Sequence, residues 1–141
     1  MAGERIIARR AELIDTLNLL PPGEERLLYL IALGKQYPPL PEQYRTSQYL
    51  LPGCVSQFWI VAQRGDDGSL SFVMDADAAI SKGIAAAVCG LYNGEKPADI
   101  LAVEPDFFDV TGLTGLISPN RSNALSSLRK FIVRAAHDAT A

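Results

Sequence analysis

The residue in this chain best placed to do chemistry is Cys54. It stands in Pro52-Gly53-Cys54-Val55-Ser56-Gln57-Phe58-Trp59-Ile60, where a turn signal delivers a thiol onto the first residues of an aromatic-rich strand. Pro52 fixes its own φ and has no amide donor, and Gly53 opens backbone angles closed to other residues, so the thiol sits on a stiff, tight connection. Two roles stand open for it. A free cysteine is often a small buried apolar filler. As a nucleophile it must act as the thiolate, and an unperturbed thiol with a pKa of about 8.5 is only a few per cent ionised at neutral pH. No histidine lies nearby to act as base, because the single histidine, His137, is close to the C-terminus.

Other chemistry-bearing residues carry a bland and a sharper reading. Asp75 and Asp77 precede an apolar helical run and read as helix caps, with a direct functional role as the alternative. Cys89 falls in an alanine-rich helical pattern and reads as buried packing. His137 reads as an exposed residue of a last helical turn. Two cysteines and one histidine cannot assemble a structural zinc or cluster-ligating set, so no metal site is expected, and nothing in the composition demands a disulfide.

The elements that must position Cys54 follow from composition and patterning. With 141 residues, 48% hydrophobic and 21% charged, the chain fits one globular domain over residues 1–141. The formal net charge is -3, and no Lys/Arg block runs longer than Arg9-Arg10, which argues against nucleic acid or an anionic membrane as partner. No apolar run approaches a bilayer span and no signal-type segment opens the chain, so a soluble cytoplasmic protein is expected.

Residues 4–18 put Ile6, Ile7, Leu13, Ile14 and Leu17 on one helical stripe. Pro21 and Pro22 end that helix, and Glu24 and Glu25 open a second, apolar one for which Gly34 is a plausible stop. A proline-rich loop from Tyr37 to Pro41 leads to Tyr49-Leu50-Leu51, read as a brief strand. Ser56 to Gln63 and Leu70 to Asp75 form an antiparallel hairpin across Arg64-Gly65-Asp66-Asp67-Gly68, with Leu70, Phe72 and Met74 on its packed face. A helix to Leu91 follows, then short helix starts at Pro97 and Pro105. A last helix opens with Ser118-Pro119 and continues through Leu125, Leu128, Ile132 and Val133.

Three stretches in order, Gly53 to Ile60, Asp75 to Gly83 and Ser118 to Leu125 with Arg121 inside it, resemble the SufE family of sulfur acceptors. The likeness reaches upstream through Tyr29 to Lys35, so it spans nearly the whole chain. It implies an α+β fold, a small antiparallel sheet packed by helices and similar to the IscU-type scaffolds. It implies that Cys54 accepts a sulfane sulfur from the persulfide of a cysteine desulfurase of the SufS/CsdA type and passes it to an iron–sulfur scaffold such as SufBCD. PLP would belong to the desulfurase, leaving this chain with no bound cofactor. Asp75, Asp77 and Arg121 become loop-supporting or partner-binding positions, Arg121 by pairing with a carboxylate near the loop or on the desulfurase. The chain departs from the family pattern at Tyr49, Met74 and Ala124, which stand where asparagine, glycine and glycine are frequent.

The resemblance leaves the oligomeric state open between a monomer and a weak dimer. It predicts a partly sheltered Cys54, since an exposed persulfide is lost to reductants and oxidants. Three other readings compete with the carrier. A stand-alone thiol enzyme needs an activating neighbour that the sequence lacks. A non-catalytic adaptor would bind a desulfurase without carrying sulfur, and a cluster scaffold lacks ligands.

Overall fold

Helix α1 (Glu4–Asn18) begins where Gly3 takes a φ of 81°, a backbone angle that favours glycine. The Gly3 amide donates to Asp99 Oδ1 at 2.8 Å, and a Cβ at Gly3 would stand 2.5 Å from Val103 Cγ2. Glycine is therefore required there by close approach as well as by angle. The computed structural model describes residues 2–51, 57–103 and 119–140, with the backbone alone for 119–124. In α1 the stripe buries Ile6 and Leu17 and half-buries Leu13 and Ile14. Ile7 is 43% exposed, because a 3.6-residue turn rotates it about 100° from Ile6.

Helix α2 (Glu24–Gln36) starts with Glu24 and Glu25 and carries Lys35 in its last turn, an arrangement that complements the helix dipole. Gly34 does not stop it. The residue is buried inside the helix, and a Cβ there would meet the Gly83 amide nitrogen at 2.9 Å. Gly83 lies on α3 (Ala79–Tyr92), so the two glycines form a seam where α2 and α3 touch backbone to backbone. Alanine-rich α3 buries most of its circumference, including Ile84, Ala85, Val88, Cys89 and Tyr92. A helix apolar nearly all round belongs at the centre of a core.

Strands β1 (Phe58–Arg64) and β2 (Leu70–Ala76) pair antiparallel, from Phe58 opposite Ala76 to Arg64 opposite Leu70. Their turn closes with Gly65 N–H on Ser69 O at 2.8 Å, and Asp67 Oδ1 accepts from the Ser69 amide and hydroxyl. Leu70, Phe72 and Met74 are buried as the alternation predicts. The preceding segment forms two 3-10 turns, Glu42–Tyr44 and Ser47–Tyr49. The expected strand at Tyr49–Leu51 contracts to a single bridge between Leu50 and Trp59.

Helix α4 (Pro97–Ala102) has proline in its first turn, and α5 (Pro119–Thr140) supplies Leu128, Ile132 and Ala136 to the core. Val133 stays 38% exposed. The architecture is α+β, five helices around a two-stranded antiparallel sheet among the described residues, as predicted. The predicted helix start at Pro105 and the Ser118 cap lie outside the described residues. Among the described residues no helix is long and apolar enough to cross a membrane.

One buried charge ties α1 to the hairpin. Glu95 is 2% exposed and accepts from Arg5 at 3.2 Å and from Arg9 at 3.1 Å. Arg9 also donates to the Leu91 and Asn93 carbonyls at the end of α3, where a cation opposes the helix dipole. Removing one partner of a buried carboxylate strands its charge. Arg9→Ala is expected to cost about 2–3 kcal/mol in urea unfolding, whereas Arg5→Ala, at a 70% exposed side chain, is expected to cost less.

Candidate functional site

The segment 52–56, which holds Cys54, lies outside the described residues, so the site is read from its two tethers. On one side Leu51 donates its amide to Phe58 O at 2.7 Å. On the other, Asp77 donates its amide to Gln57 O at 3.0 Å. Both ends of the segment are thus fixed to the start of β1, where β2 leaves the sheet. Cys54 is three residues from either tether in sequence, a reach of about 10 Å of extended chain.

Beside this base lies an electrostatic cluster. Asp75 stands on β2 directly across from Trp59, so its carboxylate shares that face of the sheet with the indole. Arg45, brought in by the 3-10 segment, bonds Asp75 Oδ2 and holds its guanidinium 5.3 Å from the centre of the Trp59 ring. Lys82, one turn into α3, reaches Asp75 Oδ1 at 3.1 Å, and the Ala76 amide donates to the same oxygen at 2.8 Å. Glu42 adds a second, exposed carboxylate to Arg45 at 3.3 Å. Burial works to raise the Asp75 pKa, but the hydrogen bonds from Arg45, Lys82 and the Ala76 amide outweigh it and hold the carboxyl below its ordinary value. One carboxylate thus joins three structural pieces, the 3-10 segment, β2 and α3, at the foot of the cysteine segment.

The linkage has a definite sign. A carboxyl with a depressed native pKa adds stability above its unfolded value of about 3.9, and that stability disappears as the pH falls through the native value. Asp75→Asn is expected to lower stability at pH 7 by about 1–2 kcal/mol. The gap should begin to close below about pH 4 and vanish as the pH falls through the lower native pKa, where the folded wild-type carboxyl protonates too. Urea titrations of both proteins across that range measure it, and a gap independent of pH would contradict the role of the charge.

The cap reading of the two aspartates is corrected by this geometry. Helix α3 begins at Ala79 with Ala78 at its boundary and no side-chain cap. β2 runs on to Ala76, which consumes Asp75 as a strand residue, and Asp77 is exposed with its amide on the tether. Arg121 falls in the first turn of α5, and its side chain lies outside the described residues, as does any contact with Cys54. Sequence reading missed Arg45 and Lys82. Lys82 was signalled by its place in the stretch Asp75 to Gly83, whereas Arg45 sits in a polar loop with no local cue.

The remaining residues stand apart from this charge cluster or serve the core. Phe58 and Trp59 are buried at 2% and 7% exposure. Cys89 is a free, fully buried thiol whose pKa is pushed up to about 12 by burial, with Tyr37 hydrogen-bonded beside it. It stays protonated at neutral pH. His137 is exposed in the last turn of α5. Among the described residues no group of three His, Cys, Asp or Glu side chains is arranged to hold a metal ion.

Comparison with known proteins places the chain. Residues 11–136 match the family model SufE, described as an Fe-S metabolism associated domain. An uncharacterized SufE-like protein of Rhizobium etli is 38% identical over 135 residues, covering 92% of this chain and 91% of that protein. A second, from Rhizobium meliloti, is 35% identical over 126 residues, covering 87% of this chain and 89% of its own length. The solution structure of a hypothetical protein from Thermus thermophilus shares the fold, with a TM-score of 0.74 at 21% identity over 94% of this chain and 96% of that one.

Proposed function

The chain belongs to the SufE family, whose domain is associated with iron–sulfur metabolism, and from that premise we propose that it carries sulfur as a persulfide on Cys54. The observation that carries this reading is the match over residues 11–136, which includes the cysteine segment and both of its tethers. In the proposed step the Cys54 thiolate attacks the outer sulfur of the persulfide on a PLP-dependent cysteine desulfurase. A new sulfur–sulfur bond forms, the old one breaks, and the desulfurase thiolate leaves. The proton lost from Cys54 is recovered by that leaving group, so no external oxidant or reductant is needed. A second exchange of the same kind hands the sulfur to an iron–sulfur assembly scaffold. The desulfurase would be of the SufS/CsdA type and the scaffold a complex such as SufBCD, with no cofactor resident in this chain.

Pairing of Arg45 and Lys82 with Asp75 supports a carrier rather than a stand-alone enzyme. Both cations are already matched by a carboxylate, so neither is free to drive a thiol toward thiolate before a partner docks. Such a thiol stays quiet in solution.

The test is intact-protein mass spectrometry after incubation with a cysteine desulfurase, PLP and cysteine. Wild type and Cys89→Ser are expected to gain one sulfur atom that a thiol reductant removes, and Cys54→Ser to gain none. An adduct that persists in Cys54→Ser would overturn the reading. Confirmed docking without any adduct would establish a non-catalytic adaptor instead.

A further inference from the structure

The two outer edges of the sheet are treated differently. Hydrogen bonds at the ends of the hairpin, Asp77 to Gln57 and Gly65 to Ser69, fix which residues face inward. Trp59, Val61 and Gln63 direct their main-chain groups to β2, so Phe58, Ile60, Ala62 and Arg64 direct theirs outward. By the same alternation Leu70, Phe72, Met74 and Ala76 point outward from β2, and at Leu70 and Phe72, the residues opposite Arg64 and Ala62, every group is met. Leu70 exchanges bonds with Glu95 and Gly94, the Phe72 amide donates to Asn93 Oδ1 at 2.8 Å, and the Phe72 carbonyl accepts from the Tyr37 hydroxyl. On β1 the cover stops early. Leu51 meets Phe58 and Leu50 bridges Trp59, but the outward groups of Ala62 and Arg64 have no backbone partner among the described residues.

Along this uncovered stretch runs a cavity of about 620 Å³. Ile60, Val61, Ala62 and Arg64 of β1 form one side, Phe131, Ala135 and Ala139 of α5 form an apolar wall, and Tyr49 to Leu51 close one end. Its charged groups are Arg64, Arg134 and Asp138. Arg134 continues outward into a surface shared with Lys130, Val133 and His137. The local excess is therefore positive, on a chain whose formal net charge is -3.

The geometry points to a docking groove for an extended, acidic segment of a partner protein, which adds to the β1 edge as a third strand. An edge with unmet amides and carbonyls is a template for strand addition, in which main-chain bonds supply affinity and flanking pockets supply selectivity. Five edge residues match about 16 Å of strand. The apolar wall takes alternate side chains, and Arg64 and Arg134 select carboxylates of the guest. The groove closes at Tyr49 to Leu51. This inference does not depend on sulfur transfer.

The probe is a capped octapeptide with a Val-Thr-Val-Thr centre and two acidic residues at each end, titrated into the isotope-labelled full chain and followed by amide NMR and hydrogen exchange. Saturable shifts confined to residues 60–64 and the facing turns of α5 are expected, with slowed exchange at Ala62 and Arg64. A lysine-ended peptide of the same centre should bind at least 10-fold more weakly, and the double variant Arg64→Glu, Arg134→Glu should invert that preference. Ala62→Pro removes an outward amide without touching the β1–β2 ladder and should abolish binding. Cys54→Ser should bind as wild type does, which separates this result from the sulfur reading. Equal binding of both peptides, shifts elsewhere, or no saturable shift at millimolar peptide would overturn the proposal. So would edge shifts that follow protein concentration alone, since a second copy would then be the occupant.

Discussion

Cys54→Ser is expected to reduce stimulation of a cognate cysteine desulfurase to the rate of the desulfurase alone, measured as alanine or sulfide released per unit time. The expected loss is total because a serine hydroxyl offers no sulfur to receive the transferred atom, and no second thiol can substitute. Cys89 is buried, and its pKa of about 12 leaves almost no thiolate at neutral pH. Cys89→Ser should therefore keep most of the stimulation. Its cost appears in stability, about 1–3 kcal/mol, because a hydroxyl placed among apolar neighbours loses hydration the thiol never had. If the Cys54 variant stimulates as well as wild type, the carrier reading is wrong.

A clear effect on folding is expected at the glycine seam. A Cβ on Gly83 would stand 2.4 Å from Leu30 O, 2.6 Å from Leu30 C and 2.8 Å from Ile31 N. All three are backbone atoms of α2, so no rotamer change relieves the contact. Gly83→Ala is expected to destabilise by about 1–3 kcal/mol, even though alanine is favoured over glycine inside a helix by about 1 kcal/mol. Gly90, on the same helix, has nothing within 4 Å of its virtual Cβ. Gly90→Ala should thus stabilise by about 0.5–1 kcal/mol. Opposite shifts in Tm from identical substitutions on one helix would identify the seam, and a rise in both would exclude it.

Much of this fold was legible in the chain. The amphipathic stripe gave α1 its bounds, and period-two alternation gave Leu70, Phe72 and Met74 their buried face. What failed was whatever depended on distant residues. Gly34 carries a local signal for a helix end, but its role is set by Gly83, a residue far along the chain that only the packed state brings near. Asp75 has the spacing of a cap, yet pairing with Trp59 draws it into β2 first, and Arg45 then arrives from a loop whose sequence announces nothing. At the candidate site Asp75 was singled out in the sequence, but its pairing with Arg45 and Lys82 was not, because an ion pair between loop, strand and helix leaves no periodic trace.

The burial of Cys89 gives the protein a built-in clock. Its thiol abuts Tyr37 within the hydrophobic core, so a thiol reagent can reach it only when that packing opens. In a Cys54→Ser background, where Cys89 is the sole remaining thiol, the labelling rate at low reagent concentration reads the opening equilibrium directly. A residue set apart from the proposed sulfur chemistry thereby reports, without any added dye, how often the core around it comes apart.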